Sequence, residues 1–137
     1  AARGAGMASG ATKMSLAYAK DRKTFGKSIA EHQAIQLKLA EMSTRAAAAR
    51  LLVEQAALKY DLGERCDLEA GQAKYFASEA AVQNSLDGMR VFGGYSYSPE
   101  YEIERFYRDA PLLCIGEGTN EIQRIIIAKQ MVARSGG

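Results

Sequence analysis

Proline and histidine are scarce in this sequence: Pro99, Pro111 and a lone His32 stand among 137 residues. So few prolines leave long stretches free to be helical. One histidine cannot build a His-rich metal site, and the carboxylates lack calcium-loop spacing, so no metal is expected. Cysteine is sparse too. Cys66 and Cys114 form no C-x-x-C pair, and a chain of this size folds without disulfides, so reduced thiols are expected. No apolar run approaches the roughly 18 residues of a membrane span, and no basic, apolar, small-residue succession marks a signal peptide. The expectation is a soluble domain without membrane insertion, cytoplasmic, or in the mitochondrial matrix if eukaryotic. Charge of one sign is missing as well: 18 Lys and Arg face 16 Asp and Glu, interleaved, for a net +2. A nucleic-acid binder would carry a basic stripe, so that class is not expected.

What is present is helix-forming. At roughly 150 residues per domain the chain is one domain or a piece of one. The opening AARGAGMASGA reads as the inside of a helix that begins upstream, which suggests part of a longer protein. An apolar fraction of 47% supplies a core. Met7, Ala11, Met14 and Tyr18 share one face of a first helix running to about Asp21. Ile35, Leu39, Met42, Ala46, Ala49, Val53, Ala56 and Tyr60 alternate steps of four and three, a 3.5-residue repeat that favours bundle packing at roughly +20°. Glu41 and Arg45 make an i,i+4 pair on its outer face, Ser28 with Glu31 a capping box that opens it, and Gly63 a stop. Asp67 is the expected N-cap of a third helix, apolar on two sides (Ala73, Phe76, Ala80 and Val82, Leu86, Met89) and therefore central. Gly93-Gly94 ends it. Ser98-Pro99 opens a short helix, acidic early and basic late, which Pro111 closes. A last helix starts near Thr119 or Asn120 and runs through Ile122, Ile125, Ile126 and Val132 to the chain end. The expected fold is all-α, an antiparallel four-helix bundle with a short additional helix and little room for a sheet.

Three segments hold residues that bundle packing does not need. Asp21 to Lys27 combines cations, a hydroxyl, an aromatic and a glycine between helices, a mixture suited to phosphate and ring contacts; it also reads as a solvated basic turn. Val91 to Tyr95 places paired glycines where a backbone can approach a ligand, or simply caps a helix. Gly116-Glu117-Gly118-Thr119 brackets a carboxylate with glycines at a helix start. Such a loop can swing the acid into a cavity, or place it where the helix dipole favours an anion. Spacing alone leaves both readings of each segment open.

In order, DRKTFGKSIAEHQAIQLKLAEM, VFGGYSYSPEYEIERFYRDA and IGEGTNEIQRIIIAKQ resemble the C-terminal domain of the acyl-CoA dehydrogenase family across essentially the whole chain. The resemblance implies that residues 1–137 are the C-terminal four-helix-bundle domain of a larger flavoenzyme, a homodimer or homotetramer whose N-terminal helical and middle β domains lie outside this chain. It implies FAD lying between subunits, with Arg22, Thr24 and Phe25 of one subunit reaching the FAD of its neighbour and His32 and Gln33 behind them. Arg90 and Phe92 to Gly94 match a second flavin-contacting segment; Arg90 stands where members commonly carry Gln. Thr119 and Glu121 match further flavin-contacting positions. Glu117 matches the catalytic base, which takes the α-proton of an acyl-CoA thioester while hydride passes from the β-carbon to flavin N5, giving a trans-2-enoyl-CoA. Gly116 replaces a frequent aromatic and is expected to reshape the acyl pocket.

The family's usual electron acceptor, an electron-transfer flavoprotein, is the expected partner. By itself the chain is expected to bind neither FAD nor substrate well. Two other readings carry the same motifs: an acyl-CoA oxidase, which delivers electrons to oxygen, and a catalytically silent helical assembly module built on the alanine seam.

Overall fold

The computed structural model describes residues 1–136. The elements are α1 (Ala2–Asp21), β1 (Lys23–Thr24), β2 (Lys27–Ser28), a 3₁₀ turn (Ile29–Glu31), α2 (Gln33–Asp61), α3 (Asp67–Phe92), a second 3₁₀ turn (Gly93–Tyr97), α4 (Ile103–Ile115) and α5 (Asn120–Ser135). The fold is the all-α bundle that the repeat implied. Helix α3 packs against each of the other four helices, as its two apolar sides require. Helix α1 lies against α2, α3 and α4.

Small residues make the packing close. Ala8, Ala49, Ala77 and Ala80 form one core cluster; Ala11, Met42, Phe92 and Ile103 a second; Ala19, Ile29 and Val91 a third. At Gly4 an added Cβ would stand 2.7 Å from the Ala77 carbonyl carbon and oxygen, so α1 meets α3 backbone to backbone. Asn84, fully buried, donates to the carbonyls of Ala8 and Met42 and to the Thr12 hydroxyl, tying three helices together at one point.

Several local expectations are corrected. The segment after α1 is a two-stranded antiparallel hairpin, Lys23 opposite Ser28 and Thr24 opposite Lys27, where a loop was expected. The Ser28 and Glu31 capping box is real, but it caps the 3₁₀ turn, and α2 begins at Gln33. Asp67 is the first residue of α3, with Cys66 at the cap and Arg65 holding its carboxylate. The seam of α2 ends at Ala56, because Tyr60 is 75% exposed. Arg45 does not sit on an outer face: it turns inward to Asp87 at 2.6 Å, leaving Glu41 a loose 4.0 Å contact. Helix α4 starts at Ile103, after a turn at Ser98–Tyr101, and continues through Pro111 to Ile115. Pro111 costs that helix one backbone bond, to Tyr107, but both residues face solvent while Ile103 and Ala110 anchor the buried side. Gly63 and Gly93, both at positive φ, end α2 and α3 as expected.

A buried carboxylate staples the far end of the bundle. Glu69 is 5% exposed and accepts from Lys59 at 2.7 Å and from Arg134 at 2.7 and 3.0 Å, joining α3 to α2 and α5. Hydrogen bonds from Arg134, then Lys59, hold its carboxyl at about 2 against the ordinary 4.5. A depressed carboxylate adds stability that is whole above its unfolded pKa and is lost as pH falls through the folded one. The melting temperature is therefore expected to drop between about pH 4.5 and pH 2, and Glu69→Gln to remove part of that slope, as acid melts of the two proteins would show.

Candidate functional site

The three unusual segments assemble at two places. The first is built where α1, the hairpin and the end of α3 meet. Phe25 and Gly26 both have positive φ, 52° and 81°, which is the two-residue hairpin geometry that matches strand twist. That turn folds Thr24 back so that its Oγ1 lies 3.0 Å from His32 Nε2. The Arg22 guanidinium lies over the Tyr95 ring, 5.2 Å from its centroid. Tyr18 stacks on Phe92 with centroids 4.1 Å apart, and burial pushes its phenol above the ordinary value. These groups surround a cavity of about 570 Å³ with an apolar floor of Ile29, Ile35, Val91 and Phe92. Polar groups of Arg22, Thr24 and His32 stand among its walls. Gly93 and Gly94 complete it, and a Cβ on either would meet nothing within 4 Å, so the backbone there is open to a ligand.

Of the nominated cofactor residues, Arg22, Thr24, His32, Phe92, Gly93 and Gly94 share this cavity. Phe25 does not line it, being 97% exposed at the hairpin tip with its ring edge-on to His32, and Gln33 is exposed on the first turn of α2. Arg90 is half-exposed and bonded to Asp87 at 2.9 Å, off the cavity wall.

The second place is the loop between α4 and α5. Glu117 has φ 57° and Gly118 φ 86°, so the carboxylate rides on a left-handed bend. Gly116 N–H donates to the Leu112 carbonyl at 2.8 Å on one side, and Thr119 caps α5 on the other, accepting from Ile122 N–H at 3.4 Å. Asn120, 2% exposed, fixes the frame: it accepts from Lys74 and Ser78 and donates to Glu79, all on α3. Lys74 also donates to the Cys114 carbonyl at the end of α4. The Glu117 side chain accepts from Arg3 on α1. Glu121 is exposed beside Arg124, and hydrogen bonds from its own backbone N–H and from Thr119 hold its carboxyl below the ordinary range.

Arg3 and Arg22 lie at opposite ends of α1, about 28 Å apart at 1.5 Å per residue. The cavity and Glu117 are thus separated by the length of a helix within one copy. Sequence reasoning missed Arg3, Lys74 and Asn120, whose partners lie 40 to 114 positions away in the chain. Among the described residues no group of three or more His, Cys, Asp and Glu is placed to hold a metal, and no helix is long and apolar enough to cross a membrane.

Residues 1–132 match the family model described as acyl-CoA dehydrogenase, C-terminal domain. The chain belongs to that family. It is 49% identical over 132 residues to an acyl-CoA dehydrogenase of Bacillus subtilis, covering 96% of this chain and 35% of that protein. It is 40% identical over 134 residues to subunit CarC of the caffeyl-CoA reductase-Etf complex of Acetobacterium woodii, covering 98% and 35%. Among solved structures, the butyryl-CoA dehydrogenase of Megasphaera elsdenii superimposes with a TM-score of 0.94 at 38% identity, covering 96% of this chain and 34% of that one. The chain thus spans about a third of the length of these relatives.

Proposed function

We propose that this chain is the base-bearing, flavin-contacting domain of an enzyme that converts an acyl-CoA thioester to a trans-2-enoyl-CoA. The observation that carries the reading is Glu117, a carboxylate presented on a left-handed bend between two glycines at the edge of a cavity. A bulky residue in such a backbone is strained, and strain of this kind collects where a side chain has chemistry to perform. Glu117 would accept the α-proton of the thioester. Bound FAD would supply the acceptor for the hydride that leaves the β-carbon.

The cavity at the other end of α1 fits part of such a cofactor. Its apolar floor suits a ring system, and its Arg22, Thr24 and His32 suit oxygen-rich groups. Because about 28 Å of helix separates it from Glu117, one FAD near the base would be reached by the hairpin of a second copy, which supports a homodimer or homotetramer. The exposure of Phe25 on a bend of positive φ supports that contact. The chain's kinship with a subunit of an Etf complex supports an electron-transfer flavoprotein as acceptor.

Anaerobic absorbance of the flavin-loaded full-length enzyme, mixed with a panel of acyl-CoAs, tests this. Bleaching with formation of the enoyl-CoA is the expected result, followed by slow reoxidation in air. Rapid peroxide release on admitting air would make the enzyme an oxidase. Failure to hold flavin at all would overturn the reading and leave a helical assembly module.

A further inference from the structure

Arg3 stands in the first turn of α1, in a stretch otherwise made of Ala and Gly, and its Nη2 donates to Glu117 Oε1 across 114 positions of chain. Both residues line a cavity of about 160 Å³ whose walls include Gly4, Lys74, Leu112 and Leu113. The pair is well exposed, with side chains 68% and 74% accessible, and an exposed ion pair adds little to stability. Its geometry is nonetheless fixed from both sides. Gly4 seats this turn of α1 directly on the α3 backbone, and the bend at Glu117 is held between the Leu112 carbonyl and the α5 cap.

The contact also uses the carboxylate asymmetrically. Arg3 takes Oε1, and among the described residues no side chain donates to Oε2. A base anchored by one oxygen keeps the other free to receive a proton, and the anchor restricts the rotamers that would otherwise spread it through solvent. We infer that Arg3 is a positioning residue for Glu117, pinning Oε1 so that Oε2 is turned toward the substrate's α-carbon. This rests on the reading of Glu117 as the base, and the test separates the two.

The anaerobic rate of flavin bleaching at saturating acyl-CoA, and the acyl-CoA concentration giving half that rate, are measured in the full-length enzyme for wild type, Arg3→Gln, Arg3→Lys and Glu117→Gln. Losing orientation without losing the base should slow bleaching by about tenfold in Arg3→Gln, with the half-saturating concentration changed less than about twofold. Arg3→Lys should recover part of the rate, because it keeps a donor and a charge. Flavin content confirms that each variant is folded. If Arg3→Gln bleaches at the wild-type rate while Glu117→Gln does not bleach, Arg3 has no positioning role and the base assignment stands. If Arg3→Gln changes only the half-saturating concentration, Arg3 binds substrate and the inference is overturned. If Glu117→Gln bleaches like wild type, the base assignment fails and the inference falls with it.

Discussion

Glu117→Gln should leave a folded, flavin-loaded enzyme whose bleaching by acyl-CoA is slowed by about 10³-fold, roughly 4 kcal/mol of transition-state stabilisation. Glutamine keeps the length and shape of the side chain, so it occupies the same left-handed bend, whose strain is set by having a Cβ at all. It keeps an oxygen for Arg3 and loses only the ability to take a proton. Exposure protects the fold, since the side chain is 74% accessible and its removal opens no cavity. Flavin content should not change, because the cavity lined by Arg22, Thr24 and His32 lies at the far end of α1. Stopped-flow absorbance without oxygen gives the rate directly. A Glu117→Gln enzyme within fivefold of wild type would show that the α-proton leaves by another route, and would remove the main support for the proposed chemistry.

The bundle was legible because its signal is periodic. The 3.5-residue repeat of α2 and the two apolar sides of α3 are statements about faces, and faces determine which helix is central. Glu117 was legible for a local reason: flanking glycines around an acid are a sequence-visible sign of unusual backbone. The losses are long-range or run against a local rule. A positive-φ hairpin normally announces itself with Asn or Asp before Gly, and Phe25 in that place hid the strands. Pro111 signals a helix end unless its missing bond falls on the wet side, which only tertiary packing decides. Arg45 had a plausible partner four residues away in Glu41, while the one it uses is 42 positions off on α3. Arg3 beside Glu117 is the same case at greater distance. So is the separation of the site into two ends of α1, since chain order places the motifs in sequence and says nothing of which end of a bundle each reaches.

Asp87→Ala should be the most destabilising single change among the charged residues, by about 3–5 kcal/mol, the range found when one partner of a buried ion pair is deleted. The Asp87 side chain is 4% exposed and is held by Arg45 at 2.6 Å, Arg90 at 2.9 Å and Gln83 at 3.3 Å. Burial pushes its carboxyl up, but the hydrogen bonds from Arg45, Gln83 and Arg90 outweigh that and hold it below the ordinary 3.8. The decisive member is Arg45, whose side chain is 22% exposed and whose Nε already lacks a partner among the described residues. Without Asp87 it becomes a largely buried cation whose nearest carboxylate is the exposed Glu41, a loose 4.0 Å away. Glu69→Gln should cost less, because its partners Lys59 and Arg134 are 30% and 38% exposed and can turn to water. Urea unfolding should place the Asp87→Ala midpoint well below that of Glu69→Gln, with Arg90→Gln near wild type because Arg90 is half in solvent. Replacing both members together, Arg45→Met with Asp87→Leu, should recover much of the loss, since the penalty lies in the orphaned charge. An Asp87→Ala midpoint equal to wild type would mean that Arg45 reaches solvent when released. Helix α3 carries Asp87 five residues before Phe92, and the double glycine follows directly, so a bundle loosened here should also hold flavin less tightly. Glu69, at the start of the same helix, should not share that second effect, which separates a loss of general stability from a loss of order at the cavity.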